Sequence, residues 1–159
     1  MYRRTALLST MTLAALLIAP TILLAESPQM TKSDLRSAMH KLWEDHITWT
    51  RLYIISATSD LPDKAETAKR LLQNQVDIGN AIKPFYGEPA GEKLTALLKD
   101  HILIAVDLID AAKAGNTAKK EDAAKRWNAN ADQIATFLST ANPKYWPADD
   151  MKQMMREHL

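Results

Sequence analysis

Apolar residues recur at alternating intervals of three and four along most of the chain, which is the spacing of one face of an α-helix. Five segments show this pattern, and they cover residues 35–53, 68–82, 94–108, 123–137 and 151–158. One polar residue interrupts the apolar face of each segment: His46, Gln75, His101, Asn130 and His158. In four segments this residue lies near the middle, and the middles of antiparallel helices lie at one height. The pattern therefore predicts a polar layer inside a helical bundle.

Capping residues, prolines and glycines delimit the segments and predict the fold class. Because a proline disfavours helical backbone in the residue before it, we expect the second helix to end before Pro84. The predicted helices run from Thr31 or Ser33 to Thr58, from Pro62 to Lys83, from Pro89 to Gly115, from Asn116 to Thr140, and from Pro147 onward. Similar lengths and short connections predict an all-α, antiparallel up-down bundle of four long helices plus a short fifth. The fifth ends at Leu159 in mid-pattern, without a cap, which indicates a truncated chain.

The first 25 residues have the composition of a targeting segment. Arg3 and Arg4 precede an apolar run from Ala6 to Ala25, which is typical of a secretory signal peptide. About twenty apolar residues can also span a bilayer, so an uncleaved membrane anchor is the alternative. In both cases the arginines stay inside, and residues 26–159 are exported as one helical-bundle domain. We therefore expect an extracytoplasmic protein that is secreted, periplasmic or anchored on the exported side of a membrane.

Charge and cysteine content exclude several kinds of function. Removal of residues 1–25 takes away two of the 20 basic residues and none of the 19 acidic ones, which leaves a net charge of −1. A nearly neutral domain lacks the basic face that nucleic-acid binding requires. The chain contains no cysteine, which excludes disulfides, covalent haem attachment and thiolate metal sites. Packing alone must therefore hold this domain together.

Two interpretations of the polar layer stay open. Five buried polar side chains without partners would cost roughly 5–15 kcal/mol, at about 1–3 kcal/mol each, which is comparable to the stability of a whole domain. One solution is a structural hydrogen-bonded layer in which Gln75 and Asn130 satisfy the imidazoles. The other solution is a transition-metal site, because imidazole is a ligand for zinc, copper and iron.

The metal interpretation uses residues from several helices. His46, His101 and His158 would be the ligands, with Met151, Met154 and Met155 nearby in sequence for copper. Asp77 or Asp132 would orient a ligand from outside the coordination sphere. However, no two histidines have the His-x-x-x-His spacing of known sites. The sequence thus leaves the cofactor as none or unknown, with a transition metal as the one candidate.

Two aromatic connections are predicted to lie at one end of the bundle. In an up-down topology the loop after the second helix and the loop after the fourth helix lie at the same end. That end also holds the start of the first helix. These loops contribute Phe85, Tyr86, Tyr145 and Trp146, with Lys83 and Lys144 beside them. Such a patch suits a membrane interface or a protein partner, and it also suits simple closure of the bundle end.

Three stretches of the chain resemble a known group of proteins. The runs from Leu42 to Arg51 and from Leu71 to Gly87, and the sequence NPKYWP at residues 142–147, are similar to an uncharacterised family of exported bacterial helical proteins. The resemblance covers most of residues 35–159 and implies an exported helical protein with no established activity. Members of that family are longer at the C-terminus, as the abrupt end of this chain also indicates.

Three function classes follow from these observations. A binding or interaction module in the cell envelope is favoured, because the chain shows no catalytic constellation, no glycine-rich phosphate loop and no alternation of strands and helices. A metal-binding protein that uses the histidine layer is the alternative. An enzyme would require metal-assisted chemistry and would therefore depend on that alternative. The expected partners are a protein or a membrane surface, and not a nucleic acid.

Overall fold

The computed structural model describes residues 30–159, which form five α-helices and no strand. The helices are α1 (Lys32–Thr58), α2 (Lys64–Tyr86), α3 (Glu88–Lys113), α4 (Thr117–Ala141) and α5 (Ala148–His158). The predicted all-α bundle with a short fifth helix is therefore confirmed. Residues 1–25, predicted to be a signal peptide or membrane anchor, lie outside the described residues. No helix within residues 30–159 is both long and apolar enough to cross a membrane.

Helix ends follow from local side-chain chemistry. Thr31 caps α1, since its hydroxyl accepts from the Asp34 N–H at 3.1 Å while the Asp34 carboxylate accepts from the Thr31 N–H at 2.9 Å. Asn116 caps α4 with a single hydrogen bond, in which its side-chain oxygen accepts from the Lys119 N–H at 3.0 Å. Gly115 provides the left-handed residue between α3 and α4, with φ of +66°.

The prediction that α2 ends at Lys83 was wrong. The helix continues through Pro84 to Tyr86, where the Gly87 N–H donates to the Lys83 carbonyl at 2.8 Å. Pro84 lies in the last turn, so the missing N–H of proline removes one helical hydrogen bond only. The turn that follows is formed by Gly87, whose φ is +85°.

Neighbouring helices in the chain pack against each other, and one side of the bundle is less tightly closed. The pairs α1–α2, α2–α3, α3–α4 and α4–α5 form the main interfaces, and α1 also touches α3. Among residues 30–159, α1 and α4 form no comparable interface. Side chains of α1, α4 and α5 instead surround cavities between these helices.

Helices α2 and α3 approach closely at two glycines. A Cβ atom on Gly79 would lie 2.6 Å from the Gly91 carbonyl oxygen and would also collide with the Thr95 side chain. A Cβ atom on Gly91 would lie 2.6 Å from the Gly79 carbonyl oxygen. Only glycine fits at these positions, and this contact sets the distance between the two central helices.

The buried apolar residues form two clusters with polar residues between them. The first cluster contains Ile78, Leu94, Leu97, Leu98, Ala131, Ile134, Ala135 and Met155. The second contains Tyr53, Ala57, Leu71 and Ile102. In α2, Gln75 lies between Leu71 of the second cluster and Ile78 of the first. In α3, His101 lies between Leu98 of the first cluster and Ile102 of the second. A polar layer thus separates two apolar parts of one core.

Candidate functional site: the histidine layer and its cavities

Each of the two long helical hairpins buries one histidine against one amide side chain. In the hairpin of α1 and α2, His46 Nδ1 lies 3.3 Å from Gln75 Nε2. In the hairpin of α3 and α4, His101 Nδ1 lies 2.8 Å from Asn130 Oδ1. Both pairs span 29 residues of the chain, and all four side chains are buried. The two hairpins therefore repeat one arrangement.

The Asn130 amide determines the tautomer of His101. Asn130 Nδ2 donates to the Leu97 carbonyl at 3.0 Å, so Oδ1 is the atom that faces the ring. An amide oxygen only accepts hydrogen bonds, and the hydrogen-bond network therefore assigns the proton to His101 Nδ1. The opposite ring atom, Nε2, then carries a lone pair. This atom is buried and has no hydrogen-bond partner.

The amide neighbours of His46 do not fix its tautomer. Gln75 Nε2 lies 2.8 Å from the Leu71 carbonyl oxygen, 3.2 Å from Asn74 Oδ1 and 3.3 Å from His46 Nδ1. An amide NH2 group has two hydrogens, and the two shorter contacts use both of them. The adjacent Asn74 donates to the Leu42 carbonyl at 3.0 Å and ties α2 to α1. The layer thus contains one imidazole whose tautomer is set by its amide neighbour, His101, and one whose tautomer is not, His46.

Burial keeps both imidazoles neutral at physiological pH. Removal from water lowers the pKa of His101 to about 4, and this effect outweighs the opposing effect of the hydrogen bond that the ring donates to Asn130. Burial also lowers the pKa of His46, and nearby His158 acts in the same direction. Neutral imidazole is the form that binds metals and accepts hydrogen bonds.

The three predicted histidines His46, His101 and His158 all line the same two neighbouring cavities. The first has a volume of about 410 Å³ and is lined mainly by apolar and aromatic side chains of all five helices. Its walls include Met39, Trp43, Tyr86, Phe137, Trp146 and Met151. The second, of about 570 Å³, is lined by Ile47, Arg51, Ile54, Ile102, Ala105 and Trp127.

Aromatic rings surround the imidazole of His101. The His158 ring stacks on it with a centroid distance of 5.9 Å, and the Trp127 ring lies 5.2 Å away. Trp43 makes an edge contact with His46 at 5.4 Å. His158 itself is exposed and comes from the last helical residue of α5.

The two predicted outer-sphere aspartates lie away from the histidines. Asp77 accepts from Gln73 at 2.9 Å and lies 3.9 Å from Arg70. Asp132 pairs with Arg156 at 3.1 Å. Both carboxylates bind arginines at the edge of the bundle, so the buried layer consists of His46, His101, Gln75, Asn130 and Asn74. Sequence reasoning missed Asn74, since its place next to Gln75 carried no signal of its own.

The layer does not form a preassembled metal centre. Within residues 30–159, no group of three histidine, cysteine, aspartate or glutamate side chains is arranged so that it could hold a metal ion. The arrangement offers two neutral imidazoles and an apolar enclosure. A neutral imidazole can accept a hydrogen bond, donate one, or provide a single coordinating nitrogen.

The residues of the aromatic end patch differ in exposure and in contact with the first cavity. Tyr86, at the end of α2, and Trp146, in the loop after α4, both line this cavity, so these two parts of the chain meet at one end of the bundle. Phe85 and Tyr86 are each 36% exposed, and Tyr145 is 70% exposed. Lys83 pairs with Glu88 at 2.6 Å, and Lys144 lies over the Tyr145 ring at 5.3 Å.

Comparison with known proteins gave no match: no family model, no curated protein and no solved structure is similar to this chain. The functional argument therefore depends on the residues of the site.

Proposed function

We propose that this protein is an exported binding module of the cell envelope that takes a small, largely apolar ligand in the first cavity. The observation that supports it is the cavity itself, whose wall of apolar and aromatic side chains from all five helices also contains three histidines. Burial keeps the imidazoles of His46 and His101 neutral. A ligand that donates one hydrogen bond to an imidazole nitrogen in this wall gains affinity beyond its apolar contacts.

The size and lining of the cavity define the class of ligand. A volume of about 410 Å³ falls within the range of roughly 300–1,000 Å³ that small-molecule sites occupy. Aliphatic, aromatic and thioether side chains form most of the wall, while the histidines are its few polar groups. Such a site suits an uncharged organic molecule with one donor group.

A fluorescent probe tests this function. N-phenyl-1-naphthylamine is apolar, has one N–H donor and fluoresces more strongly in apolar surroundings. We expect saturable binding to the purified protein with a stoichiometry of one. Ala141→Phe should reduce the binding, because Ala141 lines the cavity. Ala129→Phe is the matched control, since Ala129 lies on the exposed side of the same helix. Equal probe binding by both variants would contradict a ligand in this cavity.

A transition metal held directly by His46, His101 and His158 is the second candidate function. Its support is that the three rings line the same cavities. Mass spectrometry of protein purified without chelator measures the metal content. Near-stoichiometric copper, zinc or iron that is lost in the His46→Ala/His101→Ala variant would establish this function. Protein that stays metal-free after titration with all three would exclude it.

Export and a partner at the aromatic end are also part of the proposal. The predicted signal or anchor supports export, and N-terminal sequencing of protein recovered from the envelope distinguishes cleavage after Ala25 from retention. A membrane role for the patch of Phe85 and Tyr145 requires that liposomes protect this end from protease. Protease digestion that liposomes leave unchanged would favour a protein partner or simple closure of the bundle.

A further inference from the structure

We propose that two copies of this chain form a dimer in which their α1 helices pack antiparallel along an exposed apolar stripe. The stripe consists of Trp43, Ile47, Thr50 and Ile54. This inference goes beyond the proposed function, because it concerns an outer face of the bundle and requires no ligand. Three features of the described residues support it: the exposure of the stripe, the charges at its edge, and the open side of the second cavity.

The stripe follows the helical period, yet its apolar side chains stay exposed. Its residues recur at intervals of four, three and four, which places them on one side of α1. Ile47 is 68% exposed, Trp43 is 43% exposed and Ile54 is 42% exposed. Within residues 30–159, α1 packs against α2 and α3 but forms no comparable interface with α4. A contiguous apolar surface with a polar rim is typical of a protein–protein contact.

The edge of the stripe carries one acidic and one basic residue, Glu44 and Arg51. Both side chains are exposed, and their spacing of seven residues places them on the same edge of α1. Neither takes part in an ion pair within the part of the chain that the structure describes. The edge therefore offers two opposite charges to a partner.

Antiparallel packing makes this edge complementary to itself. A twofold axis midway between Ile47 and Thr50 packs Ile47 of each copy against the partner's Thr50. The same axis places Glu44 of each copy beside the partner's Arg51, so the ion pair forms twice. A parallel pair of helices would instead place the two copies of Glu44 at one height and the two copies of Arg51 at another. The charges thus favour the antiparallel arrangement over the parallel one.

The second cavity opens at the stripe. Ile47, Thr50 and Ile54 line this cavity on α1, and Trp127 lines it on α4. A second copy on the stripe covers this opening and removes apolar surface from water, which favours association. The stripe spans about 17 Å at about 1.5 Å per residue, so the interface is small, at or below about 1,200 Å² in total. We therefore expect a reversible dimer with a Kd on the order of 10 µM.

Sedimentation velocity of the purified protein tests the inference, at concentrations from about tenfold below to about tenfold above the expected Kd. We expect a monomer–dimer equilibrium. Glu44→Arg and Arg51→Glu should each weaken the dimer by at least about tenfold, because two attractive pairs become two repulsive ones. Both residues are exposed, so neither change disturbs the core, and circular dichroism reports whether each variant is folded.

The two single variants also provide a rescue. When they are mixed they should form a heterodimer, because the Glu44→Arg chain has two arginines on this edge and the Arg51→Glu chain has two glutamates. The double variant Glu44→Arg/Arg51→Glu should dimerise by itself within about threefold of the wild type, since it exchanges the charges within each pair. Glu92→Arg is the matched control. Glu92 is exposed and lies nine residues before His101, which places it on the face of α3 opposite the second cavity.

An apolar variant tests the stripe itself. Ile47→Asn should weaken the dimer by about tenfold, because it removes an apolar side chain from the middle of the contact. Leu103→Asn is the matched control, since Leu103 is 49% exposed on α3 and lies outside the stripe. It should leave the Kd unchanged.

A wild-type protein that stays monomeric at the highest concentration would overturn the inference. Dimerisation that folded Glu44→Arg and Ile47→Asn leave unchanged would also overturn it, because the dimer would then use another surface. Association through the apolar run of residues 6–25 would give that result. If the single variants weaken the dimer but neither mixing nor the double variant restores it, the antiparallel arrangement is wrong.

Discussion

Acidification should destabilise this protein through His101. The side chain is 4% exposed, and burial lowers its pKa from 6.5 to about 4. In the unfolded chain the ring recovers its ordinary pKa, so between pH 6.5 and pH 4 the unfolded state binds more protons than the folded state. The free energy of unfolding therefore falls as the pH falls through this window, and this contribution levels off below the folded-state pKa.

The magnitude follows from the two pKa values. The difference between 6.5 and about 4 corresponds to about 3 kcal/mol at full effect, because one pKa unit corresponds to 1.36 kcal/mol. At pH 4.5 about 2.5 kcal/mol of this is already lost; carboxylates also titrate near this pH, so the effect must be measured against a matched protein. A domain has roughly 5–15 kcal/mol of stability in total, so this loss is easy to measure.

The matched comparison is the double variant His101→Leu/Asn130→Leu. This change removes the imidazole together with the amide that bonds it, so no acceptor is left without a donor. His46 also loses affinity for protons on folding and acts in the same direction, but it is present in both proteins. The difference between the two pH profiles therefore isolates His101.

Urea denaturation followed by circular dichroism measures both profiles from pH 7 to pH 4.5. We expect the wild type to lose about 2.5 kcal/mol more than the double variant over this range. The single variant His101→Leu should be less stable at pH 7 than the double variant, because it leaves the buried Asn130 oxygen without its donor. Parallel pH profiles for the wild type and the double variant would refute the reasoning.

Three further predictions concern stability and use urea denaturation at pH 7. Gly79→Ala should lower the free energy of unfolding by about 1–3 kcal/mol, because the new Cβ would collide with Thr95 and the Gly91 carbonyl. An unchanged urea midpoint would show that α2 and α3 can separate there. Thr31→Ala should lower the free energy of unfolding by about 1 kcal/mol through loss of the α1 cap. An unchanged free energy of unfolding would mean that this end of the helix is already frayed. Tyr53→Phe should leave the stability within about 1 kcal/mol or raise it, because the buried hydroxyl has no hydrogen-bond partner; a larger loss would reveal a partner for that hydroxyl.

The helices and their core-facing positions could be predicted because they depend on local chemistry. The 3.6-residue period indicates which residues share a face, and caps such as Thr31 and Asn116 act within one turn. The error at Pro84 has a local cause as well. A proline in the last turn removes only one hydrogen bond, and sequence rules do not show that the helix can accept this loss.

The pairing within the polar layer could not be predicted, because it joins residues that lie far apart in the chain. Helical spacing indicates that His101 and Asn130 face the core, but the rotation of one helix against the other decides which amide atom meets which ring nitrogen. That rotation brings an amide oxygen to His101 and an amide NH2 group to His46, although their sequence positions look equivalent.

By itself the sequence determined the fold class, the helix order and the residues that interrupt each apolar face, since all of these follow from periodicity and capping. Only the tertiary structure decided that Asp77 and Asp132 form ion pairs with arginines and that three histidines line the same two cavities. The physical reason is that a cavity is a property of several helices together. Its size depends on the distances between helices, and these distances are set by contacts such as the one between Gly79 and Gly91.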